Sequence, residues 1–235
     1  MNKLLLGSLL FFGFNQIIAQ ADTPKFYLGA SYGTSFSQGD FKDTDINNPD
    51  SGFADDGAKL DIYGGFFLND RITLLGTFRY QTFNTEIGDV IARFNEDNPD
   101  VNFFGSTEDW RVYYLLLGVA YKVNLSKKFS FYPRIGIGPM VVQNPGISIS
   151  APDSNVTQSF NRSSETGFGL GFEAGIGFST SLGRHFALMP AFTFGGGFAN
   201  INDVVSTTDN ISVTGDYQPT VLSFNLGLSV AYRFY

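Results

Sequence analysis

The sequence predicts an all-β protein: an eight-stranded antiparallel up-and-down transmembrane β-barrel with short periplasmic turns and four long extracellular loops. Three observations predict this fold class. Apolar residues recur at every second position along most of the chain. Short and long connections alternate between these stretches, as in membrane barrels. The face opposite the apolar residues consists mainly of Gly, Ser, Thr and Ala, which fits a narrow and crowded interior.

Residues 1–21 have the pattern of a secretory signal peptide, with a basic start followed by an apolar core at residues 4–14. Ala19 and Ala21 supply the small residues of a cleavage site. We therefore predict a barrel domain over residues 22–235. A lone N-terminal membrane helix is the alternative, but the apolar run is short for a span and polar residues interrupt it.

Eight stretches of the mature chain alternate between apolar residues and small or polar ones, and we predict a strand for each. The apolar positions are even-numbered in the first three and last three strands and odd-numbered in the fourth and fifth. The predicted strands are residues 25–36, 57–68, 71–83, 110–123, 129–142, 166–182, 185–197 and 223–235. In the same order, the apolar faces carry Phe26, Leu28 and Tyr32; Leu60, Ile62 and Phe66; Ile72, Leu74 and Phe78; Tyr113, Leu115 and Leu117; Phe129, Ile135 and Ile137; Phe168, Leu170 and Phe172; Phe186, Phe192 and Phe194; and Phe224, Leu226 and Leu228.

Two features of these strands depart from a regular pattern. The fourth strand is apolar on both faces, so its orientation is the least certain from alternation alone. Pro133, Pro139 and Pro190 fall inside the fifth and seventh strands, where each removes a backbone donor from the ladder. We expect local bulges at these prolines.

The connections alternate in length. Three are tight turns, at residues 69–70, 125–128 and 183–184, and four are long and polar, at residues 37–56, 84–109, 143–165 and 198–219. A soluble barrel of lipocalin type also alternates, but it places its apolar residues inward. A glycine-rich face would make a poor water-facing surface, whereas aromatic residues near strand ends suit a membrane interface. We therefore predict that the apolar face contacts lipid.

The last strand resembles the C-terminal strand of the small outer-membrane barrels of Gram-negative bacteria. Its apolar face ends on Leu228, Val230, Tyr232 and Phe234, and Tyr235 follows one position beyond it. The whole mature chain is similar to barrels of the OmpA-barrel, OmpX and OmpW type, described as outer membrane protein beta-barrel domain or porin family. This resemblance implies that the four residues form the signal read by the outer-membrane assembly machinery. It also implies a location in the bacterial outer membrane of the cell envelope.

Most of the 22 acidic residues fall in the four long loops, where only three basic residues oppose them. One interpretation is that the loops attract divalent cations or a basic partner at the cell surface. The other is that the charges keep the loops soluble. Asp43, Asp45 and Asn47 mimic the beginning of a calcium loop, but the following glycine and the distal glutamate are missing, so we predict no metal site.

The small-residue face also carries charges, which we expect to form a polar network in the lumen. They are Lys59, Asp61, Arg79, Lys122, Arg134, Glu173 and Arg233. Pairing across the first tight turn places Asp61 opposite Arg79, and the strand of Glu173 neighbours that of Arg134. Buried charges must pair or hold water. The network is then either a gate, as the resemblance to OmpA-like barrels suggests, or a structural plug of polar residues and water.

Enzymatic signals are weak. Residues 169–174 match a nucleotide-binding glycine pattern, but these glycines form the small face of a strand and no helix follows. His185, the only histidine, is at a tight turn, whereas hydrolytic barrels of similar architecture need a catalytic histidine at the outer rim. The chain has no cysteine, which excludes disulfides, cysteine ligands and cysteine nucleophiles. We predict no catalytic residue, metal or cofactor.

The predicted function is a non-enzymatic structural or surface-interaction role through the long acidic extracellular loops. We expect a monomer whose partners are outer-membrane lipids and the assembly machinery, with no nucleic acid. The alternative is a narrow, OmpW-like channel that passes small apolar solutes or ions. Bulky lumen residues such as Arg79, Arg134, Tyr63 and Tyr132 argue against an open pore, because side chains can fill an eight-stranded barrel.

Overall fold

The computed structural model describes residues 24–45, 48, 50–126, 128–151, 159–208 and 211–235. The predicted signal peptide and its cleavage site lie outside these residues. The described part of the chain is almost entirely β-strand, with one α-helix. None of its helices is long and apolar enough to cross a membrane.

The chain order of the elements is as follows. They are β1 (Phe26–Ser37), a 3-10 turn (Gly39–Phe41), β2 (Ala54–Phe67), β3 (Ile72–Thr85), α1 (Gly88–Asp97), β4 (Phe104–Thr107), β5 (Trp110–Tyr121), β6 (Val123–Asn124), β7 (Phe129–Gln143), β8 (Ile147–Ser150), β9 (Ser159–Arg162), β10 (Thr166–Leu182), β11 (Phe186–Leu188), β12 (Ala191–Thr208), β13 (Ile211–Tyr217) and β14 (Thr220–Phe234).

Eight of the strands form a closed antiparallel ring. β1, β2, β3, β5, β7, β10, β12 and β14 pair in that order. β14 then pairs with β1 in one register, from Phe26 opposite Phe234 to Ser37 opposite Ser223. Each strand of the ring has two neighbours, so the ring leaves no unpaired edge to face lipid. This is the predicted eight-stranded up-and-down barrel.

The two faces of the barrel wall follow the predicted parity. Leu226 is 55% exposed on the outside of β14, whereas Asn225 beside it is fully buried in the lumen. In β5, the ambiguous fourth strand, Leu115 and Leu117 point outward and Leu116 points inward. The outer surface is therefore a continuous apolar belt, which requires lipid rather than water around it.

The expected bulges at the prolines are wrong. β7 pairs with β10 in one unbroken register through Pro133 and Pro139. At Pro190 the seventh predicted strand is interrupted between β11 and β12, but both pieces keep the same register with β10 and β14. The amide of Phe178 donates to the carbonyl of Pro190 and so bridges the interruption. A proline removes only its own donor, and its carbonyl still supports the ladder.

The long connections are more ordered than predicted. β4, β8, β9, the far half of β12 and β13 form a second sheet beyond the ring, paired in that order. Ile91 and Phe94 of α1 pack against Phe103 and Ile149 in a small core beside this sheet. The long polar connection predicted at residues 198–219 contains a hairpin of β12 and β13, which was not predicted. Both faces of β13 are exposed, so its sequence lacks the alternation that identifies a half-buried strand.

Candidate functional site in the barrel lumen

Five charged side chains form a continuous series of ion pairs across the lumen, which we call the ion chain. Lys59 Nζ lies 2.9 Å from Asp61 Oδ2, and Arg79 Nε donates to Asp61 Oδ1 at 2.7 Å. Arg79 also donates to Glu173 through Nη2. Arg134 Nε lies 3.0 Å from Glu173 Oε1, and Arg134 Nη2 donates to Glu173 Oε2 at 3.4 Å. All five residues are buried, and cations alternate with carboxylates along the chain.

The structure joins two pairs that the sequence suggested separately. Asp61 lies opposite Arg79 in the β2–β3 register, as the turn geometry predicted. Glu173 and Arg134 lie on the paired strands β10 and β7. β3 and β10 do not pair, so Arg79 links the two pairs through the lumen rather than along the wall. Each carboxylate contacts two cations, so removal of either one leaves two buried cations without that partner.

Lys122 and Arg233, the other two predicted members, lie away from this ion chain. Arg233 is at the tight-turn end of the lumen, where it donates hydrogen bonds to Ser181 Oγ at 2.9 Å and Ser179 Oγ at 3.2 Å. Lys122 follows β5 at the same end. The two residues line a cavity together and make no contact with the ion chain.

A layer of uncharged polar side chains lies on the other side of the ion chain, toward the long connections. Gln81 Nε2 donates to Ser35 Oγ at 2.7 Å and to Asn225 Oδ1 at 2.6 Å. Ser35 Oγ also donates to Asn225 Oδ1 at 2.7 Å. All three side chains are buried, and these bonds give partners to Gln81 Nε2, the Ser35 hydroxyl and Asn225 Oδ1.

An apolar plug, centred on Phe41, Phe83 and Trp110, fills the lumen at the end of the long connections. The ring of Phe41 meets Phe83 at 5.0 Å and Trp110 at 5.2 Å, both edge to face. Trp110 Nε1 donates to the carbonyl of Gly52 at 2.9 Å, so the buried indole has its polar group satisfied. Sequence reasoning missed the plug. The parity of the third and fourth strands does point Phe83 and Trp110 inward, but Phe41 lies in a stretch without periodicity.

Tyrosines fill the lumen between the ion chain and the tight turns, and glycines make room for them. A Cβ on Gly29 would lie 2.5 Å from Cζ of Tyr63, which is opposite it on β2. A Cβ on Gly177 would lie 2.2 Å from Cζ of Tyr132, which is opposite it on β7. Glycine on the lumen face therefore provides the volume that each neighbouring ring occupies.

Comparison of the sequence with known protein families identifies a family with this fold. Residues 6–234 match the family described as outer membrane protein beta-barrel domain. The chain belongs to this family. No curated protein sequence matches it.

Solved outer-membrane proteins share the fold at low sequence identity. A major outer membrane protein from Thermus thermophilus has a TM-score of 0.51 and 15% identity, with 89% of this chain and 99% of that chain covered. OprG from Pseudomonas aeruginosa has a TM-score of 0.47 and 12% identity over 92% and 100% of the two chains. Ail, the attachment invasion locus protein of Yersinia pestis, has a TM-score of 0.46 and 15% identity over 90% and 99%. Identities this low concern the fold alone.

Membership of this family places the protein in the bacterial outer membrane. In barrels of this kind the short turns face the periplasm and the long connections face outward. The ion chain and the tyrosines therefore lie inside the membrane-spanning ring, and the plug lies toward the cell exterior. The second sheet and α1 form an extracellular structure beyond the plug.

The C-terminal strand of this outer-membrane barrel presents the predicted assembly residues to lipid. Leu228, Val230, Tyr232 and Phe234 are all exposed on the outside of β14. Tyr232 stacks on His185 with ring centroids 5.3 Å apart, near the periplasmic boundary. Tyr235 lies beyond the strand, where its hydroxyl donates to the carbonyl of Arg184 at 2.7 Å. Recognition of this strand by the assembly machinery stays a prediction.

Proposed function

We propose that this outer-membrane barrel is a non-enzymatic protein with a structural or surface-interaction role, performed through its acidic extracellular segments. The observation that carries the proposal is the obstructed lumen. Three layers follow one another along the barrel axis: the apolar plug, the polar layer of Gln81, Ser35 and Asn225, and the ion chain. The side chains of all three layers are buried. A lumen filled in this way supports the wall and offers no continuous water path.

The same filling opposes the alternative of a narrow channel for small apolar solutes or ions. A gate would have to break the contacts of Arg79 with both Asp61 and Glu173, which leaves buried charges without partners. The plug would also have to move, since Phe41 and Trp110 close the lumen at the extracellular end. We therefore favour the structural-plug interpretation of the lumen charges over the gate.

The extracellular structure supplies the contact surface of this proposal. α1 and the small core around Phe103 hold it in a defined shape above the barrel. Glu96, Asp97 and Asp100 are exposed in and just after α1, and the surrounding connections are rich in acidic residues. Negative charge that is displayed on an ordered scaffold attracts a cationic partner or divalent ions and raises the rate of their encounter.

Planar-bilayer recording of the purified protein tests the obstructed lumen. We expect no discrete conductance steps from the wild-type barrel, because three filled layers block the path of ions. Uptake of indole into vesicles with and without the protein extends the test to a small apolar solute. Conductance steps, or protein-dependent indole uptake, would contradict the proposal and support the channel.

Binding of polylysine to the protein in nanodiscs tests the acidic surface. Replacing Glu96, Asp97 and Asp100 by their amides should weaken this binding, because the replacement removes three exposed charges from α1 and the segment after it. Asp70→Asn in a periplasmic turn is the control and should leave it unchanged. Equal binding by all variants would mean that the acidic segments only keep the loops soluble.

A further inference from the structure

The periplasmic end of the lumen contains a cavity that none of the layers above fills. Its volume is about 530 Å³, which is in the range of sites for small molecules. Tyr27, Phe67, Tyr132 and Met189 form its apolar lining toward the barrel interior. None of the five residues of the ion chain lines it, so the cavity is a pocket that ends at the tyrosines.

The charged side chains of the described residues that line the cavity are all positive. Lys122, Lys128 and Arg233 line it, and no aspartate or glutamate among the described residues does so. None of the three has a carboxylate of the described chain within ion-pair distance. The uncharged polar part of the wall includes the amide of Asn124 and the hydroxyl groups of Thr73, Ser126, Ser130, Ser179 and Ser181.

Cations that are gathered in this way repel one another. Lys122 and Arg233 are both half-buried and line the same cavity. Half-buried cations without an anionic partner are costly, and an anion between them would remove both the repulsion and part of the desolvation cost. Arg233 is already oriented by Ser179 and Ser181, so its guanidinium is held at the cavity wall.

We infer that this cavity binds a small organic anion from the periplasm. Lys122 and Arg233 hold its phosphate or carboxylate group, Lys128 attracts it at the rim, and the tyrosine and phenylalanine rings cover its apolar part. The ligand is a soluble molecule rather than a membrane lipid. The cavity lies inside the closed ring of strands, so the acyl chains of a bilayer lipid cannot enter it from the membrane.

Equilibrium dialysis of the full barrel in dodecyl maltoside, a detergent without phosphate, tests this inference. The probes are 4-nitrophenyl phosphate and 4-nitrobenzoate, with the neutral 4-nitrobenzyl alcohol for comparison. We expect the two anions to bind and the alcohol to bind at least about tenfold more weakly, since it lacks the charge-assisted hydrogen bonds. If neither anion binds more tightly than the alcohol, the inference is wrong.

Matched variants identify the residues responsible. Lys122→Gln and Arg233→Gln should each weaken binding of the anions about tenfold, and Lys122→Arg should largely keep it. Arg71→Gln is the control, because Arg71 is an exposed cation at the same end and does not line the cavity. An equal loss with Arg71→Gln would show diffuse attraction to the periplasmic rim and overturn the assignment.

Arg233 lies on β14, so its replacement could affect folding as well as binding. Heat-modifiable migration of each variant on gels checks that the barrel is formed before binding is measured. Lys122 lies between β5 and β6, outside both strands, and its variants carry the inference if Arg233→Gln does not fold. Unchanged anion affinity in a folded Lys122→Gln variant would contradict the proposed site.

Discussion

Each buried charged side chain of the ion chain is stabilised by contacts with side chains of opposite charge. Glu173 is 5% exposed and balances both Arg79 and Arg134. Asp61 does the same for Arg79 and Lys59. Charged groups taken out of water lose several kcal/mol each, and the ion chain compensates by giving each carboxylate two cationic partners. The contribution of one residue therefore depends on neighbours from strands that are far apart in sequence.

Replacing Glu173 by Ala tests this dependence. The variant leaves two buried arginines without their shared partner, and we expect a loss of about 3–5 kcal/mol in the free energy of unfolding, less if water enters. Urea unfolding of the barrel in lipid vesicles measures the change. Glu96→Ala is the control, since Glu96 is exposed on α1 and should shift the midpoint little. Equal midpoints for the wild type and Glu173→Ala would show that the ion chain adds no stability.

At the scale of the strand, large residues on the lumen face lie opposite small residues on the neighbouring strand. β1, with Gly29, faces Tyr63 of β2, and β10, with Gly177, faces Tyr132 of β7. An alternating strand only has to keep its lipid face apolar, but the lumen face must also fit the strand beside it. A close-packed interior tolerates extra volume poorly, so the position of each lumen glycine is fixed by its neighbour.

Gly177→Ala should destabilise the barrel by about 1–3 kcal/mol, because the new Cβ overlaps the buried ring of Tyr132. Gly76→Ala is the matched control on the lipid face, where the nearest atom, a Leu117 methyl, would be 3.9 Å away. It should change stability by less than about 1 kcal/mol. Urea midpoints measure both variants. Combining Gly177→Ala with Tyr132→Ala should cost less than the sum of the two single changes, and full additivity would exclude the overlap.

The whole molecule depends on closure between its first and last strands. β1 and β14 pair along their full common length, and this seam completes the ring. An open seam would leave backbone donors and acceptors in hydrocarbon, where each unpaired group costs several kcal/mol. The predicted assembly residues lie on the lipid face of the same strand, so closure and assembly require the same parity of β14.

Inserting one residue between Leu228 and Ser229 should prevent assembly, because every side chain after the insertion moves to the other face. Deleting Tyr235 should be tolerated, since Tyr235 lies beyond β14 and its loss leaves Phe234 as the terminal aromatic residue. Outer-membrane fractionation and heat-modifiable migration on gels measure both outcomes. Assembly of the insertion variant together with failure of the Tyr235 deletion would show that the faces of β14 are assigned incorrectly.

The sequence by itself determined the features that repeat along the chain. Period-two alternation located the eight strands and the side of each that meets lipid, because a half-buried strand must separate apolar from polar residues. Pairing across the first tight turn placed Asp61 opposite Arg79, since the two lie on adjacent strands. The C-terminal pattern and the family resemblance indicated the outer membrane.

Only the tertiary structure decided what happens where the pattern stops or where distant strands meet. Arg79 and Glu173 come together across the lumen, and no local rule relates β3 to β10. Phe41 enters the plug from a connection without periodicity, and β13 is exposed on both faces, so neither could be recognised. The cavity around Lys122 and Arg233 exists because the ring brings β5 and β14 to one end of the lumen. Alternation describes one strand at a time, whereas the packing of the lumen depends on side chains from all eight strands of the ring.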